Sequence, residues 1–304
     1  MNEVKKCFSY YSENSESLFS KIEWVEGDLL DVFSLAEAMK GVAQVYHCAA
    51  IVSMDPEEGE KMIRTNVAGT ANVVNIALEN KIEKLCHVSS VAALGIENGK
   101  EITEETAWND ESNFSAYAIS KYLSENEVWR GTQEGLNAVI VNPTIVIGPG
   151  NWNRSSGLLF KAANKGLRWY SSGGMGYVDV RDVAKAMILL MESNIKNEKF
   201  IVNSENLTFR NFFDLTYSSL SKPVPNKSAG KITLSLAWRA DKLRSLLTGT
   251  SNVFTKEVAR YAQISLTYSN SKIKKALDLE FIPMPQAITN ASKHFISDQK
   301  SRNN

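Results

Sequence analysis

The 304-residue sequence lacks an excess of either charge and lacks a long apolar run. Lys plus Arg and Asp plus Glu both total 34, so no net field attracts nucleic acid or anionic lipid. No apolar run approaches the ~20 residues that cross a bilayer. The polar residues 1–17 also lack the apolar core of a signal peptide. We therefore expect neither nucleic acid nor a membrane as a partner.

Cysteine and histidine are scarce, with three residues of each type. The cysteines, Cys7, Cys48 and Cys86, show no C-x-x-C spacing, which predicts reduced thiols in a cytoplasmic protein. The histidines form no H-E-x-x-H or similar cluster, so we expect no metal site.

What the sequence does contain is an alternation of strand-like and helical segments. Apolar runs predict strands over 22–28, 44–52, 84–90 and 138–143. Helical periodicity predicts intervening helices over 31–40, 57–81 and 114–130. This alternation is typical of an α/β fold, here a Rossmann-like, doubly wound parallel sheet.

The pattern also predicts a division into domains. Residues 1–150 are assigned to the Rossmann-like domain, and residues 177–203 return to it. Residues 151–176 and 204–304 form a smaller, mostly helical lobe that we expect to bind substrate.

Small and polar residues follow the predicted strands at their carboxyl ends. Asp28 follows the first strand, Ala49 and Ala50 lie at the end of the second, and Ser90 ends the third. Pro143 ends the fourth strand. In a parallel sheet these ends share one edge, which is where ligands bind. A functional site is therefore predicted there.

Tyr117 and Lys121 lie four residues apart in the segment Ser-Ala-Tyr-Ala-Ile-Ser-Lys, residues 115–121. On a helix this spacing places the two side chains on one face, about 5–6 Å apart at Cβ. The spacing is common among solvated helix pairs. Only the surrounding residues decide whether the pair has a chemical role.

Those surroundings resemble the extended branch of the short-chain dehydrogenase/reductase superfamily. The resembling segments, in order along the chain, are 27–29, 47–50, 66–70, 88–95, 117–121, 142–150 and 178–183. Each segment is a weak pattern alone, but seven in the right order and context are specific. The resemblance covers most of the chain.

The resemblance implies roles for particular residues. Ser90, Tyr117, Lys121 and Asn66 would form the catalytic set, and NAD or NADP would be the cofactor. The implied cofactor-binding residues are Asp28, Leu29, Ala49, Ala50, Lys121 and Pro143. Among these, Lys121 would bind the nicotinamide ribose hydroxyls, Asp28 would meet the adenine amino group, and Pro143 would lie near the nicotinamide.

The chemistry of these residue types agrees with such roles. A free phenol has a pKa of about 10. We expect the Lys121 ammonium and an oxidised nicotinamide ring to lower the pKa of Tyr117, so that it exchanges a proton with substrate. Ser90 would hydrogen-bond the substrate oxygen.

A glycine-rich turn that binds the pyrophosphate is expected near the start of such a sheet. Before Asp28 the sequence holds neither G-x-G-x-x-G nor G-x-x-G-x-x-G. We expect that a βαβ unit of about 30 residues is absent. There are three explanations: a start site placed too late, a truncated gene, or a different use of the remaining chain. The retained chemical residues favour the first.

Segments 142–150 and 178–183 look most like dihydroflavonol-reductase-like and hydroxysteroid-dehydrogenase-like members. The predicted function is therefore an NAD(P)-dependent oxidoreductase that reduces a small-molecule carbonyl or oxidises a secondary alcohol. A nucleotide-sugar epimerase and a non-catalytic remnant are the alternatives. Val91 and Ala92 after Ser90 argue against a dehydratase.

Two further segments have two interpretations each. The apolar residues of 152–170 either line a substrate surface or pack in a core. Segment 231–247 is either a helix packed on the lobe or a helix on a membrane surface. The helices over 57–81 and 114–130 are the expected interface of a homodimer.

Overall fold

The computed structural model describes residues 2–53, 55–97, 99–108, 114–166, 168–248 and 254–303. The helices are α1 (Asn2–Ser9), α2 (Ser15–Ser20), α3 (Val32–Ala38), α4 (Gly59–Glu79), α5 (Ala116–Gln133), α6 (Gly157–Asn164), α7 (Val180–Glu192), α8 (Phe209–Ser219), α9 (Lys231–Thr248), α10 (Lys256–Tyr261), α11 (Ser271–Leu277) and α12 (Met284–Asn303). The strands are β1 (Gln44–His47), β2 (Lys84–Val88), β3 (Glu101–Ile102), β4 (Ala138–Pro143), β5 (Ile145–Ile147), β6 (Trp169–Tyr170), β7 (Gly174–Asp179), β8 (Glu198–Val202), β9 (Glu205–Thr208), β10 (Lys227–Ser228) and β11 (Thr267–Tyr268).

The main sheet contains four parallel strands in the order β1-β2-β4-β8. Alternate residues of its strands face opposite sides. On one side, Leu85 and Ile140 pack in a core with α4 and α5. On the other side, Cys86 and Val141 pack with α7. The predicted Rossmann-like parallel sheet, covered by helices on both faces, is confirmed.

The strand predicted over 22–28 is not formed, and Asp28 lies in an exposed turn. A strand needs a partner for its backbone N–H and C=O groups. Within the described ranges no segment pairs with 22–28. The alternation of apolar residues over 22–28 indicates β propensity, but it does not provide the partner that a strand requires.

A second sheet lies at the junction with the lobe. Its strands run β5-β7-β9, with β7 parallel to β5 and antiparallel to β9. Residues 177–179 therefore pair in this second sheet, whereas β8 belongs to the main sheet. The predicted division into a sheet domain and a substrate lobe stays a prediction.

A second hydrophobic cluster includes the aromatic residues of 152–170 only in part. Trp152 and Phe160 are each 1% exposed and pack with Phe295 of α12. Trp169, by contrast, is 48% exposed. For Trp152 and Phe160 the core interpretation is therefore correct. No helix in the described ranges has the length and apolarity to cross a bilayer.

Gly95 lies where the chain after β2 passes close to another loop. A Cβ built on Gly95 would lie 1.7 Å from the backbone oxygen of Ala107. Overpacking of this kind costs typically about 1–3 kcal/mol. We expect Gly95→Ala to lower the free energy of unfolding by about that amount, measured by urea denaturation.

Gly150→Ala is the matched control for this prediction. A Cβ on Gly150 would meet no heavy atom within 4 Å, so its unfolding midpoint should stay that of the wild type. Equal midpoints for the two variants would contradict the close approach at Gly95.

Candidate active site

Helix α5 presents Tyr117 and Lys121 from its first turns. The Ser115 side chain accepts a hydrogen bond from the Ala118 backbone N–H at 3.0 Å and caps the helix. Such a cap satisfies a backbone donor that the helix itself cannot pair. Tyr117 is consequently the second helical residue, and Lys121 follows one turn later on the same face.

Ser90 lies at the carboxyl end of β2, next to this helix. Its hydroxyl oxygen accepts from the Ala92 backbone N–H at 3.1 Å, which caps a short 3₁₀ turn over 91–93. Its side chain also lies close enough to Tyr117 to lower the pKa of the phenol by hydrogen bonding. The structure thus brings together Ser90 and Tyr117, which are 27 residues apart in the sequence.

Lys121 is buried beneath this pair, with 4% of its surface exposed. Its ammonium donates a hydrogen bond to the backbone oxygen of Val88 at 2.7 Å, at the end of β2. Burial lowers its pKa to about 8, while the negative charge of Glu125 acts in the opposite direction. An ammonium has three donors, and Val88 engages one of them.

The pKa of Tyr117 is shifted upward in the protein. Burial raises it, and the hydrogen bond with Ser90 opposes that change. Desolvation of the phenolate is the largest effect in the protein alone. The expectation that Lys121 and an oxidised nicotinamide ring together lower the Tyr117 pKa stays a prediction. The raised pKa keeps the phenol protonated at neutral pH.

Asn66 joins α4 to two other elements. Its side-chain amide pairs with Ile51 in both directions, accepting from the backbone N–H at 2.8 Å and donating to the oxygen at 2.9 Å. It also donates to the Ser120 hydroxyl at 3.1 Å. Asn66 therefore links the chain after β1 to helix α5. It lies below the surface, with 2% of its area exposed.

The residues predicted to bind the cofactor fall into two groups. Ala49 and Ala50 follow β1, and Pro143 ends β4, so these three lie at the same sheet edge as Ser90. Ala49 is exposed and Ala50 is half-buried. The role of these three residues in cofactor binding stays a prediction.

Asp28 and Leu29 lie against α4 instead. The Asp28 carboxylate accepts from the Leu30 backbone N–H at 2.9 Å, within its own turn. The Leu29 backbone oxygen accepts from the Asn72 side chain at 2.8 Å, and its side chain packs against Gly69. Their role in cofactor binding stays a prediction.

A buried carboxylate, Glu125, was not predicted. It is 3% exposed and lies one helical turn after Lys121. Its oxygens accept hydrogen bonds from the side chains of Ser89 (2.9 Å), Asn142 (2.9 Å), Lys199 (3.2 Å) and Trp129 (3.3 Å). Its spacing of i+8 from Tyr117 and i+4 from Lys121 was the available signal, because all three share a helix face.

Asn142 carries the effect of Glu125 to Ser90. The Asn142 amide donates both to the Glu125 carboxylate and to the Ser90 backbone oxygen, the latter at 3.0 Å. Glu125 therefore holds the end of β4, the end of β2 and helix α5 in one arrangement. It is a positioning residue, since it acts on the site through Asn142, Ser89 and the charge of Lys121.

His47 and His87 lie behind the site on neighbouring strands. His47 shares a hydrogen bond of 3.0 Å with the Thr70 hydroxyl. Burial lowers its pKa to about 4, with a further decrease from the charge of Lys121. A neutral, hydrogen-bonded imidazole in this position is a packing residue.

Comparison with known proteins gives matches over most of the chain. Residues 6–203 match the model of the NAD dependent epimerase/dehydratase family. A Synechocystis sp. protein that carries the name dihydroflavonol 4-reductase is 29% identical over 284 residues, which are 90% of this chain and 82% of that protein.

Two further matches have similar extents. Cinnamoyl-CoA reductase 1 of Petunia hybrida is 28% identical over 285 residues, covering 90% of this chain and 76% of that one. The crystal structure of gox2253 superimposes with a TM-score of 0.76 at 30% identity, covering 90% of this chain and 84% of that one.

The charge of Glu125 yields a prediction for Lys121. Glu125→Gln removes a negative charge that raises the Lys121 pKa, so the titration midpoint of Lys121 should move below about 8. NMR of the side-chain resonances, assigned with Lys121→Arg, measures this midpoint.

Glu127→Gln is the matched control, because Glu127 lies on the same helix but pairs with Arg130. It should leave the Lys121 midpoint in place. An unchanged midpoint in Glu125→Gln, with the fold retained, would contradict the electrostatic coupling.

Proposed function

The chain belongs to the NAD dependent epimerase/dehydratase family, and on that premise we propose that it is an NAD(P)-dependent reductase of small-molecule carbonyls. The observation that carries the proposal is that Lys121, on the helix of Tyr117, is buried and donates to Val88 at the end of β2, two residues before Ser90. Ser90, Tyr117 and Lys121 lie at the carboxyl edge of a parallel sheet, where ligands of such folds bind.

The proposed reaction adds a hydride and a proton to a carbonyl group. A reduced nicotinamide, when bound, would supply the hydride. Tyr117 donates its phenolic proton to the carbonyl oxygen, and the raised pKa of Tyr117 keeps that proton in place at neutral pH. The Ser90 hydroxyl donates a hydrogen bond to the same oxygen as negative charge develops on it.

Lys121 supports this proton transfer by its charge. Its ammonium, fixed by Val88, favours the tyrosinate that remains after the proton has left. Its further N–H donors are available to the ribose hydroxyls of the cofactor. Ala49, Ala50 and Pro143 would border the nicotinamide end of the cofactor.

Reduction is favoured over sugar epimerisation by one observation. Both relatives described above carry the names of reductases and align with 90% of this chain.

The proposal extends to assembly and location. Helices α4 and α5 pack closely on each other, and we infer that their outer faces form a homodimer. Cys7, Cys48 and Cys86 are all free thiols, which agrees with a reducing cytoplasm. We propose NADP as well as NAD as the cofactor.

Tyr117→Phe tests the proposed proton donor. The variant keeps the ring and loses the hydroxyl, so carbonyl reduction should fall at least about 100-fold, the low end of general acid catalysis. Oxidation of NADH and NADPH at 340 nm, with a panel of aromatic and aliphatic aldehydes and ketones, measures the loss against the wild type.

Tyr122→Phe is the control, since Tyr122 is on the same helix and stacks on Trp108. It should retain turnover. Full turnover in Tyr117→Phe would contradict the assignment of Tyr117 as the proton donor. Turnover of a nucleotide sugar without net change in NADH would favour the epimerase alternative.

A further inference from the structure

Helix α9 carries an apolar stripe on the side that faces solvent. Its buried residue, Leu234, packs with Ala229 and Ala259 in a small cluster. The apolar side chains that are instead 59% to 78% exposed are Ile232, Leu236, Leu243, Leu246 and Leu247. With about 3.6 residues per turn, positions 232, 236, 243 and 247 project within about 60° of one another, opposite Leu234.

The packing of Leu234 agrees with the interpretation of segment 231–247 as a helix packed on the lobe, but that packing does not account for the stripe. Only one side of α9 contacts the lobe, and the more apolar side does not. A solvated helix normally shows the reverse arrangement, with charged residues outward. We therefore expect another molecule to bind over the exposed stripe.

Basic residues border the stripe. By the same helical geometry, Lys242 follows one border, Arg244 follows the other, and Arg239 lies between Leu246 and Ile232. All three basic residues are exposed. The acidic residue of the helix, Asp241, pairs with Arg244 at 2.8 Å and accepts from the Phe254 backbone N–H at 2.8 Å. With Lys231, the helix carries four basic residues and one acidic residue.

We propose that the exposed face of α9 binds the surface of an anionic lipid bilayer. The apolar stripe would enter the boundary between headgroups and acyl chains, and the flanking basic residues would meet lipid phosphates. The overall charge balance of the chain does not reveal this site, because the excess of basic residues lies in one helix. The expectation of no membrane partner is revised to a helix that lies on the membrane.

A second copy of α9 is a poorer occupant on grounds of charge. If two such helices packed stripe to stripe, Arg239 would be enclosed at the seam. Enclosing this cation without an opposite charge destabilises the pair, whereas an anionic surface neutralises it.

A second exposed apolar patch on the same protein offers an internal contrast. It comprises Trp24, Val25, Leu30 and Phe33, and its neighbours in sequence are the acidic residues Glu23, Glu26, Asp28 and Asp31. Phe33 is 89% exposed. If apolar exposure alone decided membrane binding, this patch would bind a bilayer as well as α9 does. Its acidic surroundings should instead keep it from an anionic surface.

Co-sedimentation of the full chain with vesicles tests the proposal. One set of vesicles is phosphatidylcholine, and the other contains phosphatidylglycerol as well. We expect binding to the anionic set at low salt and loss of most binding at about 1 M salt, where the Debye length is about 3 Å. Leu236→Ser with Leu243→Ser should weaken partitioning at least about 100-fold.

A second variant keeps the test independent of the apolar substitutions. Arg239→Gln with Lys242→Gln should weaken anionic binding about 30-fold, since each basic residue near such a surface contributes about fivefold. Phe33→Ser should bind as the wild type does. Circular dichroism and the thermal midpoint verify that each variant retains its fold.

Three results would overturn the proposal. They are binding to neither set of vesicles, equal binding to both sets, and wild-type binding by both α9 variants. If sedimentation equilibrium instead showed a dimer that Leu236→Ser with Leu243→Ser dissociates, without vesicle binding, a second copy would be the occupant.

Discussion

One buried carboxylate holds the chemical groups of this protein in place. Glu125 accepts hydrogen bonds from Ser89, Asn142 and Lys199, on segments that end or form β2, β4 and β8. Removing such a group would leave several buried donors unpaired, which costs far more than the net value of the bonds themselves. The helix that carries Tyr117 and Lys121 is fixed over the sheet edge by this network, and the position of Ser90 follows through Asn142.

The same burial that fixes the site sets its protonation. Desolvation disfavours charge on both groups, so it raises the pKa of Tyr117 and lowers that of Lys121 to about 8. Between pH 8 and the ordinary lysine value, the folded protein binds fewer protons at Lys121 than the unfolded chain does, so this group makes stability rise with pH there. At neutral pH the site presents a protonated phenol beside a lysine that is still mainly cationic, and this combination suits donation of a proton to a carbonyl oxygen.

Local patterns predicted the sheet and the pair on α5, because strand runs, strand ends and the spacing of Tyr117 and Lys121 are properties of neighbouring residues. The partners of Glu125 lie 36, 17 and 74 residues away, and no local pattern reports such contacts. The strand predicted over 22–28 failed for a related reason, since alternation does not reveal whether a pairing strand exists. The exposed side of α9 was also hidden, because composition averages charge and apolarity over the whole chain.

The claim on which the function rests is that Lys121 forms part of a nicotinamide cofactor site. Fluorescence titration of the full chain with NADH and NADPH measures this most directly, using Lys121→Met and the exposed control Lys100→Met. We predict saturable binding of at least one nucleotide, weakened roughly tenfold or more by Lys121→Met and unchanged by Lys100→Met. Binding of neither nucleotide, or equal affinity in Lys121→Met and the wild type, would contradict the account.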